Sequence, residues 1–123
     1  GCEAVPGRGR ATMVCWNPSR TWPEARIACD DWGGFLATIT DRRDHERFPR
    51  FVARRGSLWI GLNDIEEEDR WTWIGRSTDY RNWAPGEPNN WGDDEDCGML
   101  RREVGGLWND QGCQANLGYI CER

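Results

Sequence analysis

The protein has 123 residues and a mass of 14.2 kDa, which predicts one domain spanning residues 1–123. Its 16 basic and 21 acidic residues give a formal net charge of −5, which argues against nucleic-acid binding because that function needs a basic face. No stretch approaches about 18 consecutive apolar residues, so we predict no membrane-spanning segment. The chain begins at Gly1 without a charged-then-apolar leader, and we therefore expect a processed or excised module.

The first third of the chain combines a hairpin pattern with a helix pattern. Residues 1–15 have little periodicity and are predicted as a short extended hairpin. Thr21 followed by Glu24 matches a capping box, so a helix is predicted to begin there and to end at Gly33. Residues 35–39 alternate weakly and are predicted as a short strand.

The rest of the chain changes from helix to short strands. Residues 41–55 form a second helix pattern, which Pro49 is expected to kink or restart. Residues 75–96 are rich in Gly, Pro, Asn and Asp and predict one long loop, a length typical of functional segments. The predicted strands cover residues 58–62, 70–74, 98–101, 105–109 and 117–121. Two helices followed by short strands predict an α+β domain.

Six cysteines predict disulfide bonds. None belongs to the Cys-x-x-Cys pair typical of zinc sites, and an even number in a small domain is typical of an oxidising, extracellular compartment. Aliphatic residues are few, so disulfides and the nine Trp residues have to compensate for a thin aliphatic core. The residues alone leave every pairing open. The cysteines are Cys2, Cys15, Cys29, Cys97, Cys113 and Cys121.

Nearly half of the acidic residues fall into two groups. A solvated loop surface is one interpretation; calcium binding is the other, because Ca²⁺ takes six to eight oxygen ligands from carboxylates, amides and carbonyls. Asn89 and Asn109 add amide oxygens beside carboxylates and favour calcium, although no EF-hand spacing is present. The groups are Asp64, Glu66, Glu67, Glu68 and Asp69, and Glu87, Asp93, Asp94, Glu95 and Asp96.

Several motifs together resemble the C-type lectin domain, a carbohydrate-recognition domain, across nearly the whole chain. The matching motifs are Trp59-Ile60-Gly61-Leu62, Glu87-Pro88-Asn89 and Trp108-Asn109-Asp110, with the cysteines in the family order. The resemblance implies a disulfide-stapled α+β fold with short antiparallel sheets and a long calcium-binding loop. It also implies a cis peptide bond before Pro88. The implied disulfides are Cys29–Cys121, Cys97–Cys113 and, as in long-form members, Cys2–Cys15.

The resemblance also implies two calcium sites, the second of which is less complete in its match because Asn90 replaces the Asp of some members. The principal site would consist of Glu87, Asn89, Glu95, Asn109 and Asp110. The auxiliary site would consist of Asp64, Glu68, Asn90, Glu95 and Asp96.

In this family two neighbouring sugar hydroxyls bind the principal ion directly. Members with Glu-Pro-Asn resemble binders of sugars with equatorial 3- and 4-hydroxyls, so terminal mannose, fucose, glucose or N-acetylglucosamine on glycans are the expected partners. Trp91 follows the motif directly and is expected either to touch the sugar or to pack in the loop.

Two other function classes remain as alternatives. The same fold could bind a protein or ice, with calcium only structural. The second alternative is an enzyme, which is not predicted because the chain has one His and no Ser nucleophile motif. That residue, His45, is expected to be exposed and without a role, whereas most of the tryptophans at 59, 71, 73, 83 and 108 are expected to pack in the core.

Overall fold

A computed structural model describes residues 1–7, 9–89 and 94–123. The helices are α1 (Trp22–Asp31), α2 (Arg42–His45) and α3 (Pro49–Arg55). The strands are β1 (Cys2–Val5), β2 (Thr12–Arg20), β3 (Phe35–Leu36), β4 (Leu58–Asn63), β5 (Thr72–Trp73), β6 (Cys97–Leu100), β7 (Trp108–Gln111) and β8 (Leu117–Glu122). The α+β class is therefore confirmed.

Helix α1 begins where the capping box predicts it. The Thr21 hydroxyl accepts a hydrogen bond from the Glu24 N–H at 3.3 Å, and the Glu24 carboxylate accepts one from the Thr21 N–H at 3.0 Å. These bonds satisfy backbone groups that a helix start otherwise leaves without partners. The helix ends before Gly33, whose φ of +95° few other residues adopt at low energy. Its buried face consists of Trp22, Ala25 and Cys29.

Pro49 restarts the second helical region, as predicted. Helix α2 ends at His45, and α3 begins at Pro49 itself, where the missing N–H is not needed. The prediction that His45 is exposed is wrong, since only 6% of it is accessible. Its Nδ1 accepts a hydrogen bond of 3.1 Å from Nε1 of Trp108, because the short helix α2 turns this side chain towards the core.

The described strands form one sheet in the order β1-β2-β8-β4-β6-β7, with β3 beside β8 and β5 beside β4. Strands β4 and β8 pair in parallel, whereas the other strand pairs are antiparallel. The predicted strand at 105–109 starts only at Trp108, because residues 102–104 form a 3₁₀ turn and both Gly105 and Gly106 adopt positive φ. The strands at 35–39 and 70–74 shrink to two residues each.

All six cysteines lie in the described residues and are paired as the resemblance implied. Cys2–Cys15 joins β1 to β2, Cys29–Cys121 joins α1 to β8, and Cys97–Cys113 joins β6 to the segment after β7. Together they connect both ends of the chain to the fold and join the strand after the long loop to the segment that follows β7.

Tryptophans supply much of the core, as predicted. Trp59 and Trp108 are fully buried, and Trp73 packs edge-on against Trp108 with 5.6 Å between ring centroids. Trp71 and Trp83 are partly buried and pack against the same cluster. Such aromatic pairs add about 1 kcal/mol beyond the area they bury. Trp108 therefore anchors the core directly before Asn109 and Asp110.

Candidate functional site

Strand β7 carries two of the candidate residues into the protein. Asp110 is fully buried and Asn109 is 8% accessible. Strand β7 pairs with β6 so that Asn109 lies opposite Met99 and Asp110 opposite Gly98. The long loop is held against the start of β7 by two backbone bonds, from the Trp108 N–H to the Asn82 carbonyl at 3.0 Å and from the Ala84 N–H to the Trp108 carbonyl at 2.8 Å.

These backbone bonds bring the Glu-Pro-Asn motif beside β7. The peptide bond before Pro88 is cis, as the resemblance implied. Glu87 accepts a hydrogen bond from the Asn89 side-chain amide at 3.2 Å, and the Asn89 N–H donates to Oδ1 of Asp110, also at 3.2 Å. Glu87, Asn89, Glu95 and Asn109 line one open depression of about 540 Å³. The structure thus brings the residues of the expected principal site together. Four of them line the depression, and Asp110 binds the backbone N–H of Asn89.

The electrostatics of this depression favour a cation. Burial, together with the neighbouring carboxylates of Asp110 and Glu95, raises the pKa of Glu87 to about 7. Oε1 of Glu87 and Oδ1 of Asn109 are buried, and no described residue donates a hydrogen bond to either. Buried acceptors without partners are unfavourable, and a set of carboxylate and amide oxygens is the ligand chemistry that Ca²⁺ prefers. The residues present therefore fit a calcium ion.

A second acidic cluster lies at the end of β4, where Asp64 directly follows the strand. Carboxylate oxygens of Asp64, Glu68 and Asp96 lie within 4.8 Å of one another. The Asp64 N–H donates to the Asp96 carbonyl at 3.0 Å, and Oδ2 of Asp64 accepts from the Asp69 N–H at 2.9 Å. Burial and Glu68 raise the pKa of Asp64 to about 7, and burial also raises the pKa of Asp96. Oδ1 of Asp64 is buried without a hydrogen-bond partner among the described residues.

The structure assembles three of the five expected auxiliary ligands. Glu95 is not part of this group and instead lines the first depression. Asn90 and Trp91 lie outside the described residues.

The depression has further lining residues that sequence reasoning missed: Ser57, Met99, Arg101, Glu103, Gln111 and Leu117. The two-residue repeat of a strand places Met99 and Arg101 on one side of it, which is a detectable signal. That this side meets the loop depends on the pairing of β6 with β7, which the sequence does not reveal.

The chain belongs to the C-type lectin domain family, whose sequence pattern matches residues 18–123. It is 39% identical over 107 residues to the low affinity immunoglobulin epsilon Fc receptor of Mus musculus, covering 85% of this chain and 31% of the receptor. It is 36% identical over 105 residues to lectin BRA-3 of Megabalanus rosa, covering 82% of this chain and 64% of the lectin. The chain thus spans about a third of the receptor and under two thirds of the lectin.

Comparison with solved structures supports the same family. The carbohydrate-recognition domain of the mouse scavenger receptor C-type lectin matches with a TM-score of 0.89 and 32% identity, over 100% of this chain and 98% of that one. The cow CD23 domain, in the presence of a GlcNAc2Man3 oligosaccharide, matches with a TM-score of 0.87 and 31% identity, over 98% of this chain and 92% of that one. A calcium-independent type II antifreeze protein matches with a TM-score of 0.87 and 28% identity, over 98% of this chain and 90% of that one.

These comparisons are with a family of binding proteins and indicate no catalytic function. The disulfides and the relatives are typical of extracellular proteins. Within the described residues, no helix is both long and apolar enough to span a bilayer.

Proposed function

We propose that this domain binds terminal mannose-type sugars in a calcium-dependent manner, as a single unit over residues 1–123. The observation that carries the proposal is the pair of buried oxygens, Glu87 Oε1 and Asn109 Oδ1, which no described residue satisfies. The residues that would hold the principal ion are Glu87, Asn89, Glu95, Asn109 and Asp110. Those that would hold an auxiliary ion are Asp64, Glu68, Asn90, Glu95 and Asp96.

When bound, calcium would neutralise the crowded carboxylates and offer coordination positions to two sugar hydroxyls. The side chains then define which hydroxyls fit. Glu87 and Glu95 only accept hydrogen bonds, whereas Asn89 and Asn109 can also donate through their amides. A hydroxyl that donates to a carboxylate and accepts from an amide uses its full bonding capacity at this site.

Selectivity is proposed to follow from the order of acceptor and donor along the motif. Glu at 87 and Asn at 89 match the family members that bind equatorial 3- and 4-hydroxyls. The presence of a mannose-containing oligosaccharide with the cow CD23 domain supports this subgroup. The bond from the Asn89 N–H to buried Asp110 fixes the backbone from which the Asn89 amide projects. Trp91 remains a proposed contact for the sugar or for a second residue of an oligosaccharide.

The test is retention on immobilised mannose in Ca²⁺, followed by elution with free mannose, free galactose and EDTA. Mannose and EDTA should release the protein, and galactose should do so poorly. Asn109→Ala should abolish retention, because it removes one amide that both holds the ion and donates to the sugar. Release by galactose alone, or retention of the Asn109→Ala variant on the mannose column, would contradict the proposed principal site and its selectivity.

The second candidate is a non-sugar ligand with calcium only structural. The likeness to an antifreeze protein supports the non-sugar ligand alone, because that protein is calcium-independent. Binding to such a target would be lost in EDTA but would not be competed by any monosaccharide. In either case we propose an extracellular location, either secreted or as the ectodomain of a larger protein.

A further inference from the structure

Although the protein is acidic overall, one surface next to the proposed sugar site is basic. Helix α3 and the loop after β6 carry closely spaced arginines, with Glu103 as the one acid among residues 101–106. We call this the arginine surface; it consists of Arg50, Arg54, Arg55, Arg101 and Arg102.

Two contacts place the loop alongside α3. The Arg102 N–H donates to the hydroxyl of Ser57, just beyond the end of α3, at 3.0 Å. Gly106 lies against Pro49 at the start of α3, where a Cβ would come within 3.5 Å of the Pro49 Cα. The loop therefore touches α3 near both of its ends, and Arg102 lies beside the end of the helix that carries Arg54 and Arg55.

Aromatic rings hold three of the guanidinium groups in place. Arg50 and Arg54 both lie over the buried ring of Phe51, at 5.0 and 5.1 Å from its centroid. Arg55 stacks on Trp16 at 3.8 Å. Guanidinium groups restrained in this way lose less conformational entropy when they bind a ligand.

Few carboxylates neutralise this surface. Arg54 is 3.6 Å from Glu3, and Arg101 is 3.2 Å from Glu103 through Nε alone. Within the described parts of the chain, no carboxylate comes within 4.0 Å of the side-chain nitrogens of Arg50, Arg55 or Arg102. Exposed pairs of this kind contribute little, so an incoming anion can replace them.

The arginine surface begins where the proposed sugar site ends. Ser57, Arg101 and Glu103 line the same depression of about 540 Å³ as Glu87 and Asn109. A glycan whose terminal residue lies at Glu87 and Asn109 can therefore continue over Ser57 towards α3.

We infer that the arginine surface binds sulfate groups of a glycan whose neutral terminal sugar occupies the adjacent site. The inference rests on the proposed function. Sulfate esters are ionised at every physiological pH, and their oxygens match the planar fork of arginine. Nucleic acids and acidic membranes present anions as well, but the net charge of −5 and the two acidic groups repel such extended surfaces. A sulfated oligosaccharide can reach the arginines without covering the acidic loops.

The test compares mannan with chemically sulfated mannan in Ca²⁺ at physiological ionic strength. The wild-type protein should bind the sulfated form more tightly by about tenfold or more, since each charged hydrogen bond is worth roughly that factor. Arg50→Gln with Arg55→Gln should lose most of this preference while keeping its affinity for mannan.

Arg26→Gln with Arg123→Gln is the matched control. It removes the same charge and also two guanidinium groups that lie over tryptophan rings, Trp22 and Trp32, on another part of the protein. The control should keep the preference for sulfated mannan. Thermal unfolding of both double variants verifies that they are folded.

Equal affinity for the two mannans would overturn the inference while leaving the proposed function intact. An equal loss of preference in the control would also overturn it, since general charge would then explain the effect. Tighter binding to phosphatidylserine vesicles than to sulfated mannan would assign the surface to membranes instead. Binding of sulfated mannan that resists EDTA, without binding of plain mannan, would contradict the proposed function but support sulfate recognition by the arginines.

Discussion

Asp44 and Asp64 are both almost completely buried, at 2% and 3% accessibility, yet their surroundings are opposite. One oxygen of Asp44 accepts from Arg47 at 2.8 Å, and the other accepts from the Thr40 N–H at 3.0 Å. Asp64 instead faces Glu68 and Asp96, and its Oδ1 has no hydrogen-bond partner among the described residues. The fold supplies a cation for Asp44, whereas the charged side chains that cluster with Asp64 among the described residues are acids.

The same contrast separates an acid on the sheet from an acid in the long loop. Glu122 on β8 is paired with Arg76 at 3.1 Å, whereas Glu87 faces Asp110 and Glu95. Acids that stabilise the fold have their partner within the chain. Asp64 and Glu87, which are proposed to bind calcium, instead face other carboxylates, and this difference makes the two groups experimentally separable.

The largest effect is expected from Asp44→Ala. It leaves the Arg47 guanidinium, which is 11% accessible, without its carboxylate, and breaking such a buried pair destabilises a protein by about 3 kcal/mol or more. Urea unfolding should give the same loss in Ca²⁺ and in EDTA. Arg42→Gln is the control, because it breaks an exposed pair with Glu46 and should change stability by about 1 kcal/mol or less. A loss that depends on calcium would place Asp44 with the site acids.

Calcium itself should have the next largest effect. An ion that binds only the folded protein stabilises it by about 2.7 kcal/mol at a concentration one hundred times its dissociation constant. The unfolding temperature should therefore rise on adding Ca²⁺.

Asp64→Asn should reduce this rise and should also stabilise the protein in EDTA, because a neutral amide relieves the repulsion from Glu68 and Asp96. Asp30→Asn, an exposed change on α1, should do neither. If Asp64→Asn destabilises the protein in EDTA, the contrast with Asp44 fails.

A smaller, more specific effect is expected from Glu87→Gln combined with Asn89→Asp. The exchange reverses which side of the site donates and which accepts, so preference should move from mannose towards galactose by about tenfold. Competition of retention by the two free sugars measures the shift. An unchanged preference for mannose would show that the motif does not set selectivity.

Sequence reasoning located the local features and missed those that depend on strand pairing. The capping box at Thr21 and the restart at Pro49 are set by neighbouring residues, so they were predictable. The 3₁₀ turn at 102–104 shortened a predicted strand because two glycines adopt positive φ there, which their presence alone does not reveal.

The candidate site divides in the same way. The motif residues Glu87, Asn89 and Asn109 were named from the sequence, and the structure brings them together. Arg101 and Ser57 were not named, because they reach the site only through the pairing of β6 with β7 and the packing of the loop on α3.

His45 gives the smallest effect and extends the comparison to a neutral buried group. Neutral Nδ1 accepts from Trp108, whereas a protonated ring would direct an N–H at another N–H. Burial lowers the pKa of His45 below its ordinary value, although Glu46 and Asp44 oppose the shift. Arg42 and Tyr80 also border the pocket beside it.

Because the unfolded chain then binds the proton more readily, the stability that His45 contributes is present above about pH 6.5 and is lost as the pH falls below it. His45→Gln keeps an acceptor for Trp108 but does not titrate. The difference in unfolding free energy between the wild type and this variant should therefore shift by about 1 kcal/mol or less in favour of the variant between about pH 7.5 and about pH 5.5. Recording the difference rather than the wild-type curve removes the contribution of the loop carboxylates, whose raised pKa values act in the opposite direction. A difference that stays constant with pH would mean that the pKa of His45 is the same in the folded and unfolded states, and that neither burial nor the bond from Trp108 favours the neutral ring.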